Sequence, residues 1–318
     1  MAGTGFTALD RIYAPGLDRP LQALGGSCGN VLVSLAMLGH RVAPIITLGT
    51  DMDGDFLVRE FHGAGSMTDL ICRKSDMRSP VIVEHVDPLR VQHWFSSTCP
   101  ETLEAVPHWR SIEAEQVWSA RGVLEEVSVF YVDRLSWAIV LAMEAANNAG
   151  ALVFFEPAGS YEGGLLARAL QTVSILKVSD ETRGVEVYGS EITSLAPMLV
   201  IRTHGARGLT VSFAGTNRFS PAHLTARLID SCGSGDMVTI GLLHYLLRRS
   251  SNGIQYSAEE VFAGIQLGQR LAALNCAFVG ARGLFHALGR ERVQSGVDGG
   301  VHDSFVAAAM TFGPYEGY

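Results

Sequence analysis

The sequence predicts a doubly wound α/β protein, a mostly parallel sheet flanked by helices, with a small antiparallel β ribbon standing off that sheet. Two observations carry this expectation. Short apolar runs alternate with helical patterns over most of the chain, as in βαβ units around a parallel sheet. A different texture fills residues 79–95, where the apolar stretches 81–86 and 90–95 flank the turn Asp87-Pro88-Leu89, as in a hairpin.

The elements follow in order. Residues 127–132 read as a buried strand, 137–148 as a helix and 152–155 as the next strand. Residues 165–171 read as helical, and 173–178 and 198–202 as extended. Two late helices are expected over 235–247 and 258–277, the second with Ser257 as N-cap and Glu259 and Glu260 in its first turn. The tail from Gly296 to Tyr318, rich in glycine and small residues, reads as a loosely packed finish.

Composition bounds the function. With 318 residues, 47% hydrophobic and 18% charged, the chain can bury a large core. No apolar run approaches the roughly 18 residues that span a bilayer, so no membrane partner is expected. The net charge of −8 argues against a nucleic-acid partner. The first residues lack the basic and apolar regions of a secretory signal, and the five cysteines form no C-x-x-C pair, so a cytoplasmic home is expected. Neither lysine, Lys74 or Lys177, follows a P-loop glycine run. The ten histidines show no zinc-ligand spacing, so no zinc site is expected. If the protein handles phosphate, it must use backbone amides and a few arginines. Its 35 glycines suit that device.

The strongest chemical signal is Asp230-Ser231-Cys232-Gly233-Ser234-Gly235-Asp236, running into an apolar helix. Small residues at a helix start are expected to leave the amides of Gly233, Ser234, Gly235 and Asp236 unpaired and open, an anion hole needing no lysine. Asp236 beside it is placed to act as a base toward an attacking hydroxyl. An anion hole with an adjacent carboxylate reads as phosphoryl transfer to an alcohol. The same stretch also fits an ordinary glycine-rich turn capped by aspartate. Cys232 at the helix start reads as a small filler rather than a nucleophile, with His204 and His244 the only candidate bases for the alternative.

A second segment resembles a known family. Gly25-Gly26-Ser27-Cys28-Gly29-Asn30, followed by Gly39, Gly49, Asp51 and Gly54, resembles the first signature of the PfkB/ribokinase family of carbohydrate kinases, and residues 230–243 resemble the second. Glu156-Pro157, Lys177 to Glu181 and Thr203 to Gly208 resemble landmarks between them, so the resemblance covers roughly residues 3–290. It implies a single ribokinase-like domain over 1–318, with a small β lid from about 11–24 and 79–97. It also implies phosphorylation, by ATP with Mg2+ and with K+ as an optional activator, of a hydroxymethyl group on a small sugar or nucleoside.

The resemblance also implies roles for individual residues. Asp236 matches the catalytic base, and Gly233, Ser234 and Gly235 the anion hole. Asp10 matches the carboxylate that grips substrate hydroxyls, and Gly25, Gly26 and Asn30 the loop that closes on the sugar. Without the family context, Asp10 equally caps a turn and Asn30 equally caps a helix over 31–38. Lys177, Ser179, Thr203, Gly205 and Gly208 fall where the family meets the nucleotide. Asn275, Ala277 and Gly280 match the adenine wall, though helix packing wants the same residues. Glu181 or Asp180 stands in for a metal-organising glutamate, and Asp230 matches a monovalent-cation ligand.

The departures are Cys28 for proline, Ser231 for threonine, Leu32 and Ile240 for small residues, Ser179-Asp180-Glu181-Thr182 for N-x-x-E, and Glu156-Pro157-Ala158 for D-P-N. Tyr13, His85, Gln92, Asp133 and Arg134 are the candidates for setting substrate choice. Stacking of a base on Phe6, Tyr13, His93 or Trp94 would make a nucleoside kinase, and loss of chemistry a silent sugar-binding scaffold. The unpaired lid edges suggest a homodimer through the lid.

Overall fold

The structure, a computed structural model, describes residues 1–87, 89–90, 92–159, 161, 163–180, 199–225, 227–249 and 256–317. Strand β1 (Ala2–Thr4) enters the main sheet. The chain then leaves it for β2 (Ala8–Tyr13) and β3 (Leu21–Gly25), before the helix Ser27–Met37. β4 (Ala43–Pro44) returns, and β5 (Ile46–Gly49) and β6 (Ile71–Lys74) pair in a small sheet of their own. β7 (Val81–Asp87) and β8 (Gln92–Ser96) form the antiparallel ribbon read from the sequence. The rest builds the main sheet: β9 (Val129–Val132), β10 (Leu152–Phe155), β11 (Ile175–Ser179), β12 (Leu199–Thr203), β13 (Gly208–Phe213) and β14 (Thr216–Pro221).

The eight-stranded sheet has the order β14-β13-β12-β11-β10-β9-β1-β4. It is parallel from β4 through β12 and antiparallel at the β13 and β14 edge. Helices Trp137–Asn148 and Gly163–Leu170 cross over between β9, β10 and β11 on one face. Both faces are covered, so β9 and β10 are buried at every residue rather than alternately. Alternation survives in which core each side chain joins. Tyr131 and Phe154 pack with Met237, Ile240 and Phe278 on one face. Phe130, Val132 and Phe155 pack with Val140, Met143 and Leu166 on the other.

The second sheet has the order β3-β2-β7-β8, so this cover starts at Ala8 rather than at residue 11. The register sets Asp10, Ile12, Glu84, Val86 and His93 on one face and Arg11, Tyr13, His85 and Trp94 on the other. On the second face Tyr13, His85 and Trp94 stack in a row, with ring centroids 5.4 and 5.1 Å apart.

Two expectations are corrected. Asn30 lies inside the helix Ser27–Met37 rather than capping one that starts after it. The tail is not loose: helices Gly283–Asp298 and Asp303–Ala309 fold onto the core and bury Val293, Val297, Val301 and Ala309. The apolar positions are sparse there, but Val293 and Val297, one helical turn apart, are both buried.

Candidate active site

The late helix spans Ser234–Arg249 and starts in the glycine-rich turn. Gly233 has φ +71, and a Cβ on it would fall 2.5 Å from Ala281 Cα, so glycine is demanded twice, by conformation and by contact. The backbone amides were expected to be free at four positions, and they are free at three. The Ser234 amide donates to Ser231 O at 3.2 Å. Those of Gly233, Gly235 and Asp236 meet no acceptor among the described residues, as the first turn of a helix allows.

Asp236 is buried beside these amides, with Asn30 Nδ2 donating to its Oδ2 at 2.8 Å. Burial, with Glu156 nearby, raises its pKa from 3.8 to about 6, against the opposing pull of Lys177 and of hydrogen bonds from Asn30 and Ser27. A carboxyl so tuned is mostly ionised at neutral pH yet basic enough to take a proton.

Beneath the helix start lies a network the sequence did not announce. Lys177 Nζ pairs with Glu156 Oε1 and donates to Gly235 O at 2.8 Å and Thr239 Oγ1 at 3.0 Å. Thr239 and Tyr131 donate to Glu156 Oε2 at 2.7 and 3.3 Å. An ammonium has three protons, and these three contacts use them all. Lys177 therefore supports the anion-hole loop from below and has no proton left for a nucleotide, contrary to the expectation.

Asp10 on β2 sits next to the first glycine pair. A Cβ on Gly25 would fall 1.9 Å from Asp10 Oδ2, so only glycine lets the loop lie against that carboxyl. Burial raises the Asp10 pKa to about 7, with Arg282 opposing and Asp236 adding to the rise. Asp10 Oδ1 and Asn30 Oδ1 are buried with no hydrogen-bond partner among the described residues. These acceptors, with Asp236, bring together the residues expected to hold a polyol. Gly26, with φ 76, is the N-cap of the helix that carries Asn30.

Asp133, one of five candidates for substrate choice, has a different task. It accepts from the amides of Phe6 at 2.8 Å and Cys28 at 3.2 Å, bracing the glycine loop from behind. Burial raises its pKa to about 7 despite Arg134 and the Phe6 amide.

On the expected nucleotide side, Ser179 and Thr203 are paired at the ends of β11 and β12. The turn that follows holds Gly205 and Gly208. Asp180 is its hub, meeting His204 at 2.5 Å, Arg207 at 3.4 Å and Arg202 at 3.6 Å. Glu181, proposed as a metal ligand, lies outside the described residues. Asn275 is not an open wall. It is fully buried, donating to Cys232 O, Gly280 O and Ala281 O at 3.5, 3.3 and 3.2 Å and accepting from the Leu284 amide at 3.0 Å. It ties the anion-hole loop to the loop before the helix Gly283–Asp298. Asp230 does the same with its two oxygens, accepting from Cys232 N at 2.9 Å and Gly280 N at 2.8 Å.

The surroundings of Cys232 disfavour its thiolate. Desolvation, with Glu84 and Asp230 close by, pushes its thiol well above the usual range, overriding the helix end. His204 is spent on Asp180 and Thr210, and His244 on His40 and Asp298.

A parallel sheet under helices, a β cover, and a glycine-rich helix start holding a buried aspartate define a sugar or nucleoside kinase of the ribokinase fold. The chain belongs to the pfkB family of carbohydrate kinases, whose profile matches residues 18–286, and is thus a phosphotransferase. Solved structures agree in fold. The fructokinase with bound ATP from Xylella fastidiosa superposes with a TM-score of 0.72 at 22% identity, covering 88% of this chain and 93% of that one. The Burkholderia thailandensis nucleoside kinase in complex with inosine gives 0.70 at 19%, covering 96% and 97%. Ribokinase from Arabidopsis thaliana, complexed with ribose and ATP, gives 0.67 at 16%, covering 88% and 93%. No curated protein sequence matches the chain at a significant level. No helix among the described residues is long and apolar enough to cross a membrane.

Proposed function

We propose that the protein transfers the γ-phosphoryl group of ATP to a hydroxymethyl group of a small sugar, with Asp236 as the base. The observation that carries this reading is the buried Asp236 carboxyl, fixed by Asn30 and set beside three amides that meet no acceptor among the described residues. Asp10 and Asn30 present unpartnered acceptors to the substrate hydroxyls, and Asp236 takes the proton of the attacking one. The amides of Gly233, Gly235 and Asp236 hold the charge that develops on the phosphoryl oxygens. Lys177, under Gly235, keeps that loop in place and adds positive potential without touching the nucleotide.

The described carboxylates nearest the loop are engaged, Glu156 by Lys177, Thr239 and Tyr131, and Asp180 by its three basic partners. Mg2+ therefore enters this reading as the counter-ion of the nucleotide's phosphates. A role for K+ at Asp230 stays within this reading, because each of its oxygens accepts one amide proton and keeps a lone pair. The turn at Thr203, Gly205 and Gly208 is the proposed nucleotide contact.

A sugar is favoured over a nucleoside because two of the four aromatics suited to stack on a base are committed elsewhere. Tyr13 and Trp94 lie in the stack with His85, on the face of the cover opposite Asp10. The half-exposed Trp94 and Phe95 support a homodimer through this cover.

The test is a coupled ATP-consumption screen over pentoses, hexoses, sugar acids and nucleosides with Mg2+. The expected result is ADP formation stimulated by at least one sugar and lowered in Asp236→Asn by roughly 10²–10⁴ in kcat. A fully active Asp236→Asn enzyme removes the base assignment.

A further inference from the structure

We propose that the inner face of the β cover carries a binding site for a divalent transition-metal ion, with Glu84, His93 and Asp230 as its ligands. One ligand atom from each lies within 4.8 Å of the others. His93 Nδ1 and Asp230 Oδ1 are 3.1 Å apart. Atoms bound to one ion at about 2.0–2.2 Å stand roughly 3–4 Å from each other, so small side-chain adjustments close the set.

The second observation is Glu84 itself. It is fully buried, and among the described residues neither carboxylate oxygen has a hydrogen bond of normal geometry. The Cys232 thiol faces it as a weak donor. Among the described residues no lysine or arginine pairs with Glu84 or with Asp230, whose only ion-pair partner is His93. Two buried carboxylates this close repel each other in a medium of low polarity, and a cation between them removes the conflict.

The arrangement is not an accident of one mobile side chain. Register places Glu84 opposite Ile12 and His93 opposite Val86, so both project from the face that carries Asp10. Asp230 comes from the loop that leads into the anion hole and is fixed by its two amide contacts. Because Glu84 and His93 meet only through the pairing of β7 with β8 and Asp230 lies far along the chain, no histidine or cysteine spacing announces the set, and the expectation of no zinc site was drawn from spacing alone.

One imidazole nitrogen and two carboxylate oxygens suit a borderline ion such as Zn2+ or Co2+ better than Mg2+, which takes an all-oxygen shell. The site differs from the nucleotide's Mg2+ and from a monovalent site at Asp230, since two of its ligands belong to the cover. Its consequence is mechanical: the ion pins the cover to the loop that opens the anion hole.

The experiment uses the full chain stripped with a chelator, titrated with ZnCl2 by calorimetry and with CoCl2 by visible absorption. One equivalent of Zn2+ is expected, with a rise in Tm, and Co2+ is expected to give d–d bands of a site with protein ligands. Glu84→Gln and His93→Ala should each weaken binding by roughly 100-fold or more and abolish the Tm response. Circular dichroism and the metal-free Tm show that each variant is folded; His93 is partly exposed, so His93→Ala tests the site even where Glu84→Gln perturbs packing. No saturable uptake by the wild-type chain, or equal affinity in His93→Ala, overturns the proposal and leaves only a direct His93–Asp230 ion pair.

Discussion

Asp236→Asn should inactivate the enzyme and at the same time make it more stable. Burial raises the Asp236 pKa from 3.8 to about 6, so holding the carboxyl ionised in the fold costs about 3 kcal/mol, at about 1.4 kcal/mol per pH unit. The sign follows from linkage. The folded state binds the proton more tightly than the unfolded chain, so the stability present below pH 3.8 is lost as pH rises through about 6. Asparagine keeps the shape and the acceptor for Asn30 Nδ2, and its new amide has the unpartnered Asn30 Oδ1 within the same pair. For a chain of 318 residues the gain amounts to about 4 °C in Tm at pH 8. It should be about half as large at pH 5, where the wild-type carboxyl is already largely protonated in the fold. Differential scanning calorimetry of both proteins across this range is the assay. A variant with unchanged or lower Tm at pH 8, or a gain that does not vary with pH, would refute the view that Asp236 is held against its own ionisation.

Other outcomes follow from the same geometry. The acid limb of kcat/KM should fall with an apparent pKa near 6, the value of the buried base, and a limb near 4 in a pH–rate profile would detach Asp236 from proton transfer. Lys177→Met strands Glu156 without its cation and should cost about 3–5 kcal/mol in urea unfolding; because Lys177 holds the Asp236 pKa down, the acid limb should also move upward. Gly233→Ala meets both an unfavourable φ and Ala281, and should lose about 1–3 kcal/mol together with most of its turnover. Asn275→Ala leaves backbone groups of Cys232, Ala281 and Leu284 short of partners and should cost about 2–4 kcal/mol, read by denaturant titration.

What the sequence disclosed and what it withheld divide along a physical line. The helix Trp137–Asn148 and strand Leu152–Phe155 were legible to the residue. Each has a clean period, and Ser136 and Gly150 punctuate the ends. The glycine-rich start of the helix Ser234–Arg249 was legible for the same local reason, as was Asp236 within it. Asn30 was ambiguous, because a helix cap and a ligand to a distant carboxyl look alike in one dimension. The third proton of Lys177, the four bonds of Asn275 and the paired Ser234 amide depend on atoms far away in the chain, and no window of residues contains them. Glu84 shows the limit most clearly: an acid among valines in β7 breaks the apolar run, which was a signal of function, but only the register with β2 and β8 says what it faces.

The buried amide of Asn275 has a consequence for the order in which the protein becomes functional during synthesis. Gly233 to Asp236 contain the proposed chemistry, yet their loop is fastened through Asn275 and Asp230 to Gly280, Ala281 and Leu284, residues that leave the ribosome later. A nascent chain that already displays the base and its amides has no fixed anion hole until the start of the helix Gly283–Asp298 arrives. Truncation before Gly283 would remove no residue proposed to touch substrate, yet it would take away the Leu284 amide that holds Asn275 Oδ1 and the Gly283 amide that holds Gly280 O.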